Sequence, residues 1–247
     1  MNGAQTTELW CVDLAAGAPA LHTVEQRTPR LSPADHARAA AFSDTRVRAE
    51  WLATHIALRL LIERATGPQW RCVTFDRSER GKPHLGEAQL AFSLSHAPGL
   101  ALIGLAPRGA IGVDIERTRP VRIGEARRAR IEDAGAALIA GPLPSEGNAR
   151  FLQAWVRLEA FAKADGCGIG RLLTRLGILG AGGAARTDQR AASEIVAELV
   201  RESPHTVVSD LQLGDGVFAA VVVAGTEPPA EVSWLPSSVE GLEKLTA

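Results

Sequence analysis

Residues 111–116 read Ile111-Gly112-Val113-Asp114-Ile115-Glu116, three β-branched residues alternating with a glycine and two acids. That alternation predicts a strand with Ile111, Val113 and Ile115 facing a core and Gly112, Asp114 and Glu116 sharing the opposite face. Two carboxylates then point the same way and repel, which a cation, protonation of one, or surrounding water relieves. Paired hard oxygens suit magnesium, which keeps several waters and takes further ligands from a phosphate. A solvent-facing acidic pair beside Arg117 and Arg119 is the other reading these residues leave open.

Short runs of the same kind surround this stretch. Leu9–Leu14 reads as a strand, as do Cys72–Phe75, Ala91–Ser95, Leu100–Ala106 and Ala110–Glu116, and the last four are expected in one sheet. Ser32-Pro33 opens a helix with a cap and a proline in the first turn. Arg46 to about Ala65 carries Trp51, Leu58, Leu61 and Ile62 at helical spacing and stops at Gly67-Pro68. Arg122–Ala140 is expected to be helical in part, Gly141–Gly147 a loop, Arg150–Ala164 a helix and Gly180–Ala185 a mobile glycine-rich segment. Val207–Leu213 and Val217–Val223 form a hairpin through Gly214-Asp215-Gly216. The fold class is therefore α/β, of the α+β kind. Phe92–His96 with Leu100–Ala106 is echoed by Ser209–Leu213 with Val217–Val223, each after a long helix. A duplication would give a pseudo-twofold pair with its seam near Pro120, and chance likeness of two hairpins is the alternative.

Two further motifs bear chemistry. In Trp155-Val156-Arg157-Leu158-Glu159-Ala160-Phe161-Ala162-Lys163, helical geometry puts Phe151, Trp155, Leu158 and Ala162 on one apolar face. Glu159 and Lys163 stand together at i and i+4 on its flank. A helix-surface ion pair is the commoner fate of that spacing. Lys82, held between Gly81 and Pro83, sits on a stiff loop, and Ser95-His96 ends a strand before the Pro98-Gly99 turn. Lys82, Ser95 and His96 are natural donors to phosphate oxygens. A Ser95-His96 nucleophilic pair is disfavoured because adjacent strand residues point to opposite faces.

The 247 residues are 46% apolar and 22% charged, with a formal charge of -1, so whole-molecule electrostatics give no case for nucleic acid or a membrane surface as partner. Cys11, Cys72 and Cys167 lack metal-ligand spacing and fit reduced thiols in a cytoplasm, with no disulfide expected. No basic-then-apolar leader opens the sequence, and no apolar stretch reaches the roughly 18 residues of a membrane span. Trp10, Trp70 and Trp234 read as packing residues.

The ordered set Gly-Lys-Pro, Phe-Ser-Leu-Ser-His, Ile-Gly-Val-Asp-Ile-Glu and Trp-x-x-x-Glu-Ala-Phe-x-Lys, followed by Gly166-Cys167-Gly168-Ile169, resembles the Sfp-type 4'-phosphopantetheinyl transferases over about residues 30 to 170. The resemblance implies a monomer of two similar halves, 1–119 and 120–247, binding coenzyme A and magnesium between them. It implies a holo-[carrier-protein] synthase that moves phosphopantetheine to a serine of an acyl, polyketide or peptidyl carrier and releases 3',5'-ADP. Asp114, Glu116 and Glu159 would hold the metal, manganese being an acceptable substitute. Lys163 would meet a pyrophosphate oxygen, and Lys82, Ser95 and His96 the phosphates of coenzyme A. Arg38 would meet the 3'-phosphate with help from Arg46 and Arg48. The catalytic group would comprise Glu159, Lys163 and His96, with Glu159 or a metal-bound water taking the proton of the carrier serine.

Two departures from the family's pattern stand out. Leu158 replaces its usual lysine, with Arg157 about 160° around the helix from Glu159. Glu50 stands where an arginine is usual. These keep open a transferase-like protein that has lost catalysis and serves as a binding or regulatory partner. An unrelated metal-dependent phosphohydrolase is a third possibility. Arg117–Arg130 holds six arginines, fit to steer an acidic carrier or simply to form a solvated face.

Overall fold

Alternating apolar residues give β1 (Glu8–Asp13), and Asp13 ends it by accepting from the amides of Ala15 and Ala16, which starts α1 (Leu14–Arg27) despite Pro19 within it. The computed structural model describes residues 6–86, 90–139, 141–145, 147–180, 190–203, 206–225 and 231–247. Ser32 caps α2 (Pro33–Ala40) in a reciprocal capping box with Asp35. Asp44 caps α3 (Thr45–Thr66), which stops at Gly67 in a left-handed conformation. Then come β2 (Asp76–Arg77), β3 (Pro83–His84), β4 (Ala91–Ala97), β5 (Leu100–Ala106) and β6 (Ile111–Arg117). They are followed by α4 (Glu125–Ala137), α5 (Gly147–Asp165), α6 (Ile169–Arg175), α7 (Ala192–Glu202), β7 (Thr206–Leu211), β8 (Val217–Ala224), β9 (Val232–Trp234) and α8 (Val239–Lys244).

The strands do not form the single sheet expected. β4 and β5 lie in a four-stranded sheet of order β4-β5-β1-β9, whereas β6 lies in a three-stranded sheet of order β6-β8-β7. Cys72–Phe75 is not a strand. Cys72 has φ 58 and gives its amide to Arg30 O, while the buried Arg59 side chain takes the Val73 carbonyl at 2.8 Å. A side chain thus satisfies the backbone that a ladder would have used.

Two compact units divide the chain: Met1–Ser78, Pro83–Arg108 and Pro229–Ala247 form one, and Glu79–Lys82 with Gly109–Pro228 the other. A single boundary at Pro120 does not reproduce this division, since β6 falls in the second unit and β9 and α8 in the first. The first unit is cored by Leu58, Leu61 and Ile62 of α3 with Ala101, Ile103 and Leu105 of β5. In the second, Val156, Leu158 and Ala160 of α5 meet Ala220 and Val222 of β8. Each sheet contains a hairpin whose second strand pairs antiparallel with a further strand, β4-β5 with β1 and β7-β8 with β6. Trp234, expected to pack, is 53% exposed on edge strand β9. The segment expected to be mobile falls, from residue 181 to 185, outside the described residues.

Candidate functional site

In the second unit the face of β6 bearing Gly112, Asp114 and Glu116 meets α5. A Cβ on Gly112 would lie 2.0 Å from the Ala160 carbonyl oxygen and 2.5 Å from the Ala164 nitrogen, so only glycine lets the helix backbone come this close. Closeness brings Lys163, one turn beyond Glu159, onto the strand. Its ammonium donates to Asp114 Oδ1 at 2.7 Å and to the Val113 carbonyl at 3.1 Å. Asp114 is buried, and Glu116 is gripped by the Arg119 guanidinium through contacts of 3.1 and 2.9 Å. Burial first, then the negative charge of Asp114 and less strongly of Glu116, pushes the Glu159 carboxyl above its ordinary range, while Lys163 opposes the shift.

Among the described residues, no three His, Cys, Asp or Glu side chains stand as a group able to hold a metal ion. The donor chemistry nonetheless fits a hard divalent ion: the candidate side-chain ligands are all carboxylates, and the charges of Asp114 and Glu116 both act on Glu159. An ammonium already lies against Asp114 and a carbonyl as a monovalent stand-in.

Lys82 belongs to the same region. Its ammonium donates to the Ile111 carbonyl at 2.8 Å and the Lys163 carbonyl at 2.7 Å, stapling the start of β6 to the last turn of α5. Burial lowers its pKa, and Asp165 partly offsets this. Arg80 pairs with Asp165 at 3.2 Å. Burial, helped by Asp165, pushes the Cys167 thiol up to about 11, so it is no ready nucleophile.

Arg157, the doubtful substitute for a missing lysine, points elsewhere. It is fully buried, forks Asp210 of β7 at 2.9 and 2.6 Å and donates to the Gly135 carbonyl of α4 at 3.1 Å. Leu158 lies in the core and offers no polar group. The arginine run is smaller as a surface than as a sequence. Arg117, Arg119 and Arg122 are exposed, but Arg128 turns to Asn148 at 3.1 Å and Arg130 to the Leu176 carbonyl at 2.7 Å.

The remaining expected phosphate contacts lie in the first unit. Arg38 stands over the Phe42 ring at 5.1 Å, Arg48 donates to the Phe42 carbonyl at 2.5 Å, and Arg46 pairs with Glu50 at 3.3 Å. Glu50 is thus partly answered within its own helix. Ser95 pairs with Leu102 and His96 with Ala101 along β5, so their side chains take opposite faces of β4. His55 was not anticipated, because a lone histidine in an apolar helix carries no sequence signal. It stacks on Trp51 with ring centroids 3.6 Å apart, its Nδ1 lies 2.9 Å from the Trp51 carbonyl, and burial lowers its pKa to about 4. It lines a cavity of about 130 Å³ with Arg38, Asp35, Phe75, Arg77 and Leu94.

The sequence of this mixed α+β chain is similar to proteins named as 4'-phosphopantetheinyl transferases. It is 34% identical over 147 residues to the 4'-phosphopantetheinyl transferase HetI of Nostoc sp. (strain PCC 7120), covering 58% of this chain and 62% of that protein. It is 30% identical over 147 residues to the putative 4'-phosphopantetheinyl transferase slr0495 of Synechocystis sp. (strain PCC 6803), covering 56% and 58%. It is 33% identical over 98 residues to the 4'-phosphopantetheinyl transferase ffp of Bacillus subtilis, covering 39% and 43%. The chain spans about six tenths of the length of the first two relatives and less than half of the third. No family model matches it. No helix among the described residues is long and apolar enough to cross a membrane.

Proposed function

We propose that this protein transfers the 4'-phosphopantetheine of coenzyme A to a serine of an apo carrier protein, with magnesium, releasing 3',5'-ADP. The observation that carries the reading is the strand–helix contact at Gly112, which sets Lys163 on Asp114 and puts Glu159 under the charge of Asp114 and Glu116. The names of the three similar proteins support the same chemistry. Asp114, Glu116 and Glu159 would hold the magnesium, which when bound supplies positive charge to the pyrophosphate. Lys163 would leave Asp114 for a pyrophosphate oxygen, adding charge where phosphoryl transfer needs it. Arg38, Arg46, Arg48, Lys82, Ser95 and His96 would hold the phosphates of coenzyme A, though Lys82 must then share its ammonium with two carbonyls.

In the reaction the carrier serine oxygen attacks the β-phosphorus and a P–O bond forms. The bond from that phosphorus to the bridging oxygen breaks, and the electron pair leaves on 3',5'-ADP. Glu159 would take the serine proton. The exposed Arg117, Arg119 and Arg122 would orient an acidic carrier of the acyl, polyketide or peptidyl kind. Monomeric action in the cytoplasm is part of the proposal. So is an internal duplication, each unit one transferase subdomain, which the shared order of strand, helices and hairpin supports.

The test is to incubate the protein with coenzyme A, magnesium and several apo carriers and weigh the carriers. One phosphopantetheinyl group is expected on at least one carrier, with Asp114→Ala lowering the rate on the order of 10³-fold. No gain on any carrier from folded protein would sink the reading. Leu158 in the core and Glu50 beside Arg46 favour a second one, a catalytically impaired binding partner. Coenzyme A binding measured calorimetrically with magnesium separates the two, since a non-enzyme has no need of it.

A further inference from the structure

We infer that the Lys163 ammonium and the divalent cation compete for Asp114, so that coenzyme A opens the cation position by drawing Lys163 onto its pyrophosphate, and the two ligands bind cooperatively. The inference rests on the transferase reading and concerns the order in which its site assembles. Asp114 has a side chain only 6% exposed, and a buried carboxylate requires a countercharge. Lys163 supplies it at 2.7 Å. A cation ligated by the same carboxylate would stand within a few ångström of that ammonium, and the two positive charges would repel.

The geometry lets the side chain move without its backbone. The Lys163 carbonyl is pinned by Lys82 at 2.7 Å, whereas the Lys163 side chain is 27% exposed at the last turn of α5. Glu116 is locked less firmly, because its partner Arg119 is 48% exposed. By linkage, a ligand that takes Lys163 away from Asp114 tightens the cation, and the cation tightens that ligand by the same factor.

The test is a titration with manganese, read by the electron paramagnetic resonance of the free ion, on the wild type, K163M and K163Q. Without coenzyme A, both variants should bind manganese at least about tenfold more tightly than the wild type. Coenzyme A should tighten manganese binding by a factor at least about threefold larger in the wild type than in the variants, where only the direct attraction between pyrophosphate and ion remains. Adenosine 3'-monophosphate, which lacks the pyrophosphate, should not do so. Thermal unfolding adds an independent readout, in which K163M melts lower than the wild type without metal and gains more from manganese. K163Q keeps a hydrogen-bonding group should K163M fold poorly. Variants that bind manganese no more tightly than the wild type, or an equal effect of coenzyme A in all three proteins, would overturn the inference while leaving the transferase reading in place. Absence of manganese binding in every protein, with and without coenzyme A, would remove that reading and the inference together.

Discussion

Helix α3 of the first unit and α5 of the second are both long, both lie against a sheet, and both bury an arginine paired with an acid: Arg59 with Asp35, Arg157 with Asp210. They differ in how near the backbone comes to the strands. Large aliphatic side chains, Ile56, Leu58, Leu61 and Ile62 among them, pack α3 into its core. On α5 the contact with β6 runs through Gly112, Ala160 and Ala164, all small, and the two backbones nearly touch. Polar groups on α3 therefore serve its own surroundings, as His55 does on the Trp51 carbonyl and Arg59 on the 71–75 segment. Lys163 on α5 instead crosses to a carboxylate on a strand. Small residues at a helix–strand contact thus decide where charged chemistry can be assembled.

The strongest way to break this contrast is Gly112→Ala. The added methyl group meets the Ala160 carbonyl and pushes α5 from β6, which should cost about 3 kcal/mol of stability and separate Lys163 from Asp114. Chemical denaturation measures the first effect. A change below about 1 kcal/mol would show that α5 tolerates a wider spacing, as α3 does.

A smaller effect belongs to α3. Burial holds the folded-state pKa of His55 at about 4, below its ordinary 6.5, so the stability it contributes is present above pH 6.5 and is lost as pH falls through about 4. The loss should reach at most about 3 kcal/mol and disappear in His55→Asn, as thermal melts at pH 7 and pH 4 would show. Equal acid sensitivity of the variant and the parent would mean that His55 charges without strain.

The smallest effect is expected at the start of α3. Arg46 is 72% exposed, so Glu50→Gln, which removes its i,i+4 partner, should change stability by no more than about 0.5 kcal/mol. A drop of several times that size would show that this surface pair holds its helix as firmly as the buried pairs hold α5.

Much of the fold was legible because its signals are short-range. Alternation defined β6, apolar spacing marked α3 and α5, the Gly67-Pro68 breaker ended α3, and glycines marked the β7–β8 turn. Helix α1 was not among the expected elements although Asp13 caps it, since Gly17 and Pro19 both lie within it and disfavour a helix. The spacing of Glu159 and Lys163, with the paired acids of β6, was also enough to single out residues whose charges do act on one another.

Sequence by itself therefore determined the types of the strongly patterned elements, β6, α3, α5 and the β7–β8 hairpin, because periodicity and turn signals are settled within a turn or a strand. Tertiary structure decided the partners. It split the expected sheet in two, turned Arg157 toward Asp210, tied Lys82 to the Ile111 and Lys163 carbonyls and set Lys163 on Asp114. Those pairings join residues dozens of positions apart, and their distances follow from how closely helix and strand backbones pack, a quantity that local sequence does not fix.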